Sequence, residues 1–386
     1  MKKKKISLLI AFTLTFALFT GCGSKSGSAT STSKDPIRIG LAAALTTDLN
    51  MGDTLVLDGT KMAVDEINAK GGIMGRQIKT IIEDSANNNT GAINAVNRLI
   101  NQDKVDVILG TSMSTQILAV KQLVTQSKMM MFGYGSNVKC TQDYPWFVRM
   151  RPSDAVASAA AVNYAVDVLK KTRVAITYIS DDFGVGAKDI MVKLLKEKKL
   201  EPVVVATYNG DTKDFSPVLL QIKQKNADVI IDFSHEQTSA ILQVQNKKLG
   251  INLPVILSAA AVAPTTIKMA GDDAVENNYV VADCVLAGNS DASRKEFIEK
   301  YKTKFNKEPD YHSIAAYDAV YLYKQSVETA KSTKSEDIQK AVWKTRGFKG
   351  ILGEYNFTNN NGDGRTQIDI GQFKSGKAQY VKTVSK

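Results

Sequence analysis

The sequence predicts an α/β fold with two similar lobes, and three observations carry this prediction. The chain has 386 residues, more than one compact core usually holds. Its composition, 44% hydrophobic and 23% charged, is typical of a globular protein. From residue 37 onward, short apolar runs alternate with amphipathic stretches of helical length, and the alternation starts again near residue 173. Each series predicts a parallel sheet, because buried parallel strands are continuous apolar runs.

The elements follow in order along the chain. Strands of the first series are predicted at "IRIGLAAALT", "IKTIIED", "VDVILG" and "MMMFGYGSN". Strands of the second series are predicted at "RVAITYIS", "EPVVVATY", "ADVIIDFS" and "PVILSA". The extended run at 145–154 separates the two series, and Ser153 or Asp154 is expected to cap the helix that follows. The tail is predicted to contain two helices, then hairpins with Asn-Gly and Asp-Gly turns.

The amino terminus reads as an export signal. Lys2 to Lys5 precede an uncharged apolar run at 6–20, which is short for a membrane span. Cys22 follows at the end of this run and begins a Gly/Ser/Thr-rich tether over 22–35. This arrangement resembles the lipobox of bacterial lipoproteins, which implies cleavage after residue 21 and lipidation of Cys22. An ordinary signal peptide with an incidental cysteine is the alternative. The predicted location is extracytoplasmic, with a lipid anchor in the membrane.

Composition and motifs exclude several function classes. Removing the four signal lysines lowers the net charge from +11 to +7, and no basic cluster with interleaved aromatics indicates nucleic-acid binding. An enzyme is not predicted, since the two histidines, His235 and His312, accompany no G-x-S-x-G motif and no base beside a nucleophile. No metal site or cofactor is predicted. Cys140 and Cys284 form either a disulfide or two buried thiols.

One loop stands out after a predicted strand. "VDVILGTSMSTQ" places four hydroxyls within five residues, including Ser112 and Ser114, directly before a helix. Helix amino ends carry unpaired N–H donors and partial positive charge, which favour an anion. Because ligands bind at the carboxyl ends of strands in open α/β sheets, this loop is predicted to line a cleft between the lobes.

The run "DGTKMAVDEINAKGGIMGRQIKTIIEDSANNN" at 58–89 resembles the branched-chain amino-acid-binding group of type I periplasmic binding proteins. "FGVGAKD", "DTKDFSPVLLQIKQKNADVII" and "AAYDAVYLY" match the same family in order. The resemblance implies two Rossmann-like lobes joined by three hinge crossovers, near 149–153, 281–288 and 346–352. Lobe 1 would comprise 36–150 plus 286–348, and lobe 2 would comprise 151–285 plus 349–386. It also implies a monomeric solute receptor of an ABC importer, with permease subunits and a small-molecule ligand as partners.

The resemblance assigns binding roles to individual residues. The ligand carboxylate would be held by Ser112, Ser114 and Ser136. Further contacts are assigned to Met51, Tyr134, Phe183, Phe233, Ser234, Ala259 and His312. Structural alternatives stay open for three of these residues. Ser114 would cap the helix after it, Phe183 would be a core residue, and His312 would be a structural hydrogen-bonding group.

One position departs from the family pattern. Amino-acid binders of the family place a carboxylate after the strand "PVIL" to receive the ligand ammonium, and Ala259 stands there in this sequence. A buried ammonium without a carboxylate is costly. Asp182 or Glu236 would have to substitute from neighbouring loops. The ligand is therefore left open between a branched-chain amino acid, an aryl or keto acid, and a neutral amide or urea. A sensor that reports to a membrane signalling partner is the alternative function.

Overall fold

The computed structural model of the chain describes residues 35–46, 51–357 and 361–385. The predicted signal peptide, the predicted tether and Cys22 lie outside these residues, so what the sequence predicts for them stays a prediction. Two separate sheets organise the described chain. We call the half built on the first sheet lobe 1 and the half built on the second sheet lobe 2.

The first sheet has five strands in the order β2-β1-β3-β4-β5, and all its pairings are parallel. Its strands are β1 (Ile37–Ala43), β2 (Ile78–Asp84), β3 (Val107–Gly110), β4 (Met131–Gly133) and β5 (Phe147–Arg149). The helices that connect them are α1 (Met51–Ala69), α2 (Asn89–Asn101) and α3 (Ser114–Gln126). β3 and β4 are buried along their whole length, as expected for strands covered on both faces.

The second sheet has seven strands in the order β14-β13-β10-β9-β8-β6-β7. The five from β10 to β7 are parallel, and β13 and β14 add an antiparallel edge. The strands are β6 (Val174–Ile179), β7 (Val204–Tyr208), β8 (Val229–Phe233), β9 (Val255–Leu257), β10 (Tyr279–Ala282), β13 (Gln367–Lys374) and β14 (Lys377–Ser385). Its helices are α4 (Asp154–Asn163), α5 (Asp182–Glu197), α6 (Ser216–Gln224), α7 (Glu236–Lys248), α8 (Pro264–Ala270) and α9 (Asp272–Val275).

Three late helices return to lobe 1. They are α10 (Ala292–Phe305), α11 (Tyr311–Ala330) and α12 (Ser335–Trp343), followed by the small hairpin β11 (Phe348–Lys349) and β12 (Glu354–Tyr355). α11 packs closely along α1, where Gly59 lies against the Ser313 backbone. The chain therefore passes between the lobes three times, after β5, after β10 and after α12. The predicted fold class is confirmed, whereas the predicted lobe boundaries stay a proposal.

The tail hairpin turns differ from the prediction. β13 and β14 are joined at Ser375 and Gly376, which both have positive φ (50° and 69°), as a two-residue hairpin turn requires. Asp363, from the Asp-Gly pair that was expected to form a turn, instead pairs with Arg149 of β5 as an isolated bridge. The predicted Asn-Gly and Asp-Gly turns do not join β13 to β14, because the strand pairing places Ser375 and Gly376 at that turn.

The structure also describes the state of the two cysteines and the lengths of the apolar helices. Cys140 and Cys284 are buried free thiols, so the disulfide alternative is not realised. Within the described ranges, no helix is long and apolar enough to cross a membrane.

Candidate functional site

A cavity of about 530 Å³ lies at the carboxyl ends of the parallel strands, with lining residues from both lobes. This is where ligands bind in open α/β sheets. The predicted site residues of lobe 1 that line it are Ser112, Ser114, Ser136 and His312. Those of lobe 2 are Phe183, Phe233, Ser234 and Ala259.

The remaining two predicted residues are placed differently. Tyr134 is buried and does not line the cavity, although its carbonyl faces Arg151, whose Nη1 lies 3.4 Å away. Met51 is the first residue of α1, and its side chain lies outside what the structure describes. The binding roles assigned to both residues stay predictions.

The hydroxyl of Ser112 donates a hydrogen bond within the protein. Its Oγ donates to a carboxylate oxygen of Asp53, which also accepts the Ala44 N–H at 2.6 Å. Burial raises the pKa of Asp53, and these two hydrogen bonds offset part of that effect. Because its one proton is used inside lobe 1, Ser112 presents only lone pairs to the cleft.

Ser114 is the first residue of α3 and does not act as a cap. The N-cap position belongs to Met113, and the Oγ of Ser114 accepts the backbone N–H of Asn137 at 3.2 Å. The capping alternative is therefore wrong, since the next loop supplies the partner. The hydroxyl of Ser114 lies at the amino end of a 13-residue helix.

A buried arginine holds the loop that carries Ser136. Arg149 is fully buried, and its Nη1 donates to the carbonyls of Gly135, Ser136 and Asn137, while Nη2 donates to Thr141. The side chain of Asn137 in turn donates to the Asp182 carbonyl of lobe 2. Arg149 thus fixes both a cleft hydroxyl and a direct contact between the lobes.

Three rings form a row on the lobe 2 side. Phe183 stacks on Phe233 with centroids 6.0 Å apart and on His235 with centroids 5.4 Å apart. His235 Nε2 lies 2.7 Å from Asp181, the residue that caps α5. Burial opposes the charged ring, but the hydrogen bond and charge of Asp181 outweigh it, so the pKa of His235 is raised. Phe183 both packs on the core and lines the cleft, so the two readings of this residue are compatible.

The other two predicted site residues of lobe 2, Ser234 and Ala259, are uncharged. Ser234 donates to Asp232 at 2.6 Å, and its carbonyl accepts the Ser258 hydroxyl at 2.8 Å. Ala259 begins the short helix after β9 and has no acid beside it on that helix, Ala259–Val262. The position that the family pattern gives to a carboxylate is therefore lined by methyl groups.

The cleft is also lined by Arg151, Asp283 and Tyr311, which the sequence did not predict as site residues, and by the predicted His312. Arg151, just after β5, makes two contacts to Asp283, at 2.7 and 3.0 Å, and lies over the Tyr311 ring. His312 follows Tyr311 at the start of α11 and places Nδ1 3.1 Å from Asp310. Burial opposes its charge, but Asp310 outweighs burial and raises the pKa of His312. The start of α1 packs closely against His312, because a Cβ on Gly52 would lie 2.7 Å from the His312 ring.

These elements form a cleft that can hold a small ligand. In the described part of the chain, no group of three or more histidine, cysteine or acidic side chains is placed to hold a metal ion. A model of one known family, described as "Periplasmic binding protein", matches residues 36–378. The chain belongs to the periplasmic binding protein family. The predicted resemblance is confirmed, and members of this family are solute receptors that work outside the cytoplasm, not enzymes.

Individual relatives of this periplasmic binding protein cover most of its length. It is 26% identical to a Leu/Ile/Val-binding protein homolog 7 of Brucella suis, over 84% of this chain and 85% of the relative. The leucine-binding protein LivK of Thermotoga maritima is similar in structure, with a TM-score of 0.83, 25% identity and coverage of 90% and 99% of the two chains. A Rhodopseudomonas palustris solute-binding protein in complex with 3,4-dihydroxybenzoic acid has a TM-score of 0.83 at 19% identity, covering 91% and 97%.

Asp154 is the residue of this periplasmic binding protein that the sequence reading placed least well. It was expected as a possible helix cap, but it is the first residue of α4, is 1% exposed and lines the cleft. Burial raises its pKa to about 6. The Ser136 hydroxyl lies close enough to oppose this shift in part, but its geometry does not make a hydrogen bond. The signal was present, since "RPSD" follows a strand whose carboxyl end faces the cleft.

The raised pKa of Asp154 predicts a pH-dependent stability of the ligand-free protein. An unfolded aspartate titrates near 3.9, so between about pH 4 and pH 6 the folded state binds a proton that the unfolded state has released. The free energy of unfolding therefore falls as the pH rises through this window. Burial also raises the pKa of Asp318 to about 6, so Asp318 adds a pH dependence of the same sign. The contribution of Asp154 is therefore measured by comparing the native protein with Asp154→Asn. Between pH 5 and 7.5, urea unfolding should show the native protein losing about 1 kcal/mol more than this variant. Equal losses would contradict the assignment.

Proposed function

We propose that this chain is the extracytoplasmic receptor of an ABC importer and binds a small carboxylate-bearing molecule between its lobes. The observation that carries the proposal is the cleft itself, lined from both lobes by residues at the carboxyl ends of strands. Relatives named as binders of leucine, and one solved with a dihydroxybenzoic acid, support a compact acid as the ligand class. Permease subunits are the proposed partners. Lipidation at Cys22 and a monomeric state remain part of the proposal from the sequence.

The carboxylate is proposed to dock on lobe 1. Ser114 keeps its hydroxyl proton for a ligand oxygen, and the free N–H groups at the start of α3 lie beside it. Ser136 lies on the loop that Arg149 holds by its carbonyls. Ser112 contributes differently from the sequence-based expectation, because its proton is given to Asp53. Lobe 2 then covers the ligand with Phe183 and Phe233.

Two hydroxyl deletions test this proposal. A thermal-shift screen of carboxylates against the purified mature protein identifies a ligand, because a bound molecule stabilises the folded state by mass action. Calorimetry with that ligand should show a loss of roughly tenfold in affinity for each of Ser114→Ala and Ser136→Ala, as expected for a hydrogen bond to a charged group. Ser326→Ala is the matched control, since its buried hydroxyl donates to Leu322 away from the cleft. Unchanged affinity in the double variant would rule out the carboxylate grip.

A further inference from the structure

One loop of lobe 1 contacts the first turn of a lobe 2 helix. Asn137, in the loop after β4, is 2% exposed and donates its side-chain Nδ2–H to the Asp182 carbonyl at the start of α5. The contact lies beside the ligand cavity, because the chain neighbours Ser136 and Phe183 line that cavity. Asn137 and Asp182 themselves are not part of the lining. The two lobes are therefore joined by a hydrogen bond that needs no ligand.

A glycine one turn further along α5 makes room for this contact. Gly186 belongs to the motif "FGVGAKD" and lies four residues after Asp182, so both lie on the same face of the helix. A Cβ at Gly186 would lie 2.5 Å from Asn137 Nδ2, closer than side chains pack. Asn137 can therefore approach the Asp182 carbonyl because residue 186 has no side chain. The helix itself does not favour this glycine, since alanine is the better helix former at an interior position.

The other polar groups of Asn137 are all bound within lobe 1. Its backbone N–H donates to Ser114 Oγ at 3.2 Å, and its carbonyl accepts a hydrogen bond from Arg149 Nη1 at 3.0 Å. Its side-chain Oδ1 accepts the Lys139 N–H at 2.9 Å. These three hydrogen bonds fix both the backbone and the side chain, so the Nδ2 donor is held in the orientation that meets α5. A donor fixed in advance loses little conformational entropy when the contact forms.

We propose that Asn137 is a latch, a side chain that holds lobe 2 on lobe 1 through a hydrogen bond in which the ligand takes no part. This inference goes beyond the proposed receptor function. A ligand that contacts both Ser136 and Phe183 also keeps the latch partners together, because each partner is the next residue along the chain. Since the latch does not touch the ligand, it adds the same free energy to the closed arrangement for every ligand. The affinity of the cleft is therefore set in part by a contact outside it.

Gly186→Ala tests the latch without removing any polar group. The new methyl group should displace the Asn137 side chain while both lobes stay folded, so the melting temperature should not fall below that of the native protein. In small-angle X-ray scattering of the ligand-free protein, the variant should have the larger radius of gyration, because open arrangements of the lobes gain population. Calorimetry with leucine and with benzoate should show the same loss of affinity, about threefold to tenfold, for each probe that the native protein binds.

A second variant and a matched control complete the test. Asn137→Ala should give the same changes, and adding Gly186→Ala to it should alter affinity by less than about twofold, because both substitutions remove one contact. Asn68→Ala is the control, since the Asn68 side chain makes two hydrogen bonds to the Ile78 backbone inside lobe 1, at 2.8 and 2.9 Å. It should lower the melting temperature but leave the radius of gyration and the affinities unchanged.

The failure of the latch and the failure of the receptor function give different results. If both latch variants keep the native radius of gyration and the native affinities, the latch is refuted and the receptor function stands. A loss of affinity for one probe but not for the other would mean that Asn137 acts on the ligand itself, which also refutes the latch. If the native protein binds neither probe, the scattering result alone decides on the latch. A thermal-shift screen without any stabilising carboxylate would refute the receptor function instead.

Discussion

Replacing Arg149 by methionine is expected to lower the free energy of unfolding by about 3–5 kcal/mol, the cost of breaking a buried charged network by removing one partner. Arg149 is fully buried in the crossover strand β5. Its substitution leaves the carbonyls of residues 135–137 without their guanidinium donor, and methionine offers no donor in exchange. Asp363, whose Oδ1 lies 3.5 Å from Nε, also loses its partner.

Urea unfolding of the ligand-free protein measures this loss, and calorimetry should show that ligand binding weakens with it, because Ser136 lies on the released loop. Arg98→Met is the control, since Arg98 pairs with Glu83 at 2.9 Å on the surface and is 54% exposed. Its substitution should cost no more than about 1 kcal/mol. Equal effects of the two substitutions would show that burial and the carbonyl contacts of Arg149 contribute little.

Replacing Gly59 by valine is expected to cost about 3 kcal/mol, because the new side chain would collide with backbone instead of a movable side chain. A Cβ at this position would lie 2.0 Å from the carbonyl oxygen of Ser313 in α11. The helices α1 and α11 must then separate, although valine itself is a better helix former than glycine. The first turn of α11 carries Tyr311 and His312 into the cleft, so the separation also disturbs the site.

A graded series makes this prediction sharp. Gly59→Ala introduces the same first atom and should cost about 1–2 kcal/mol less than valine in thermal unfolding. Gly210→Ala serves as the control, because its Cβ would meet only Ile179 at 3.6 Å, an ordinary contact, and should change stability by less than about 0.5 kcal/mol. A fully stable Gly59→Val protein would mean that the helix pair can move apart without cost.

The sheet architecture was predictable because it depends on local pattern. Buried parallel strands are apolar over their whole length, and the helices between them have helical periodicity, so both series were predictable from the sequence pattern alone. The tail was less predictable. Three dipeptides suit a tight turn there, Asn361-Gly362, Asp363-Gly364 and Ser375-Gly376, and only the pairing with β10 selects the last one.

The site, like the fold, was predictable only in part. The hydroxyl loop after β3 was predictable, since the position of a loop at a strand end follows from topology. The roles of these hydroxyls were not predictable. Ser112 donates to Asp53, 59 positions away, and Ser114 accepts a hydrogen bond from a backbone N–H of another loop. Asp154 was read as a helix cap for the same reason. A local sequence motif predicts a helix cap, whereas the burial of Asp154 in the cleft depends on the whole fold.

The order of strands has a consequence for how the protein is made. Synthesis releases the first sheet, residues 37–149, as one uninterrupted stretch, yet the apolar face of α1 waits for α11, which is made much later. The second sheet waits longer still, because β13 and β14 follow α11 and α12 in the chain. Each lobe can therefore finish folding only after its late elements have been made, α11 for lobe 1 and β13 with β14 for lobe 2. Until those elements have been made, a nascent chain with this topology exposes unpaired apolar surface to which chaperones can bind.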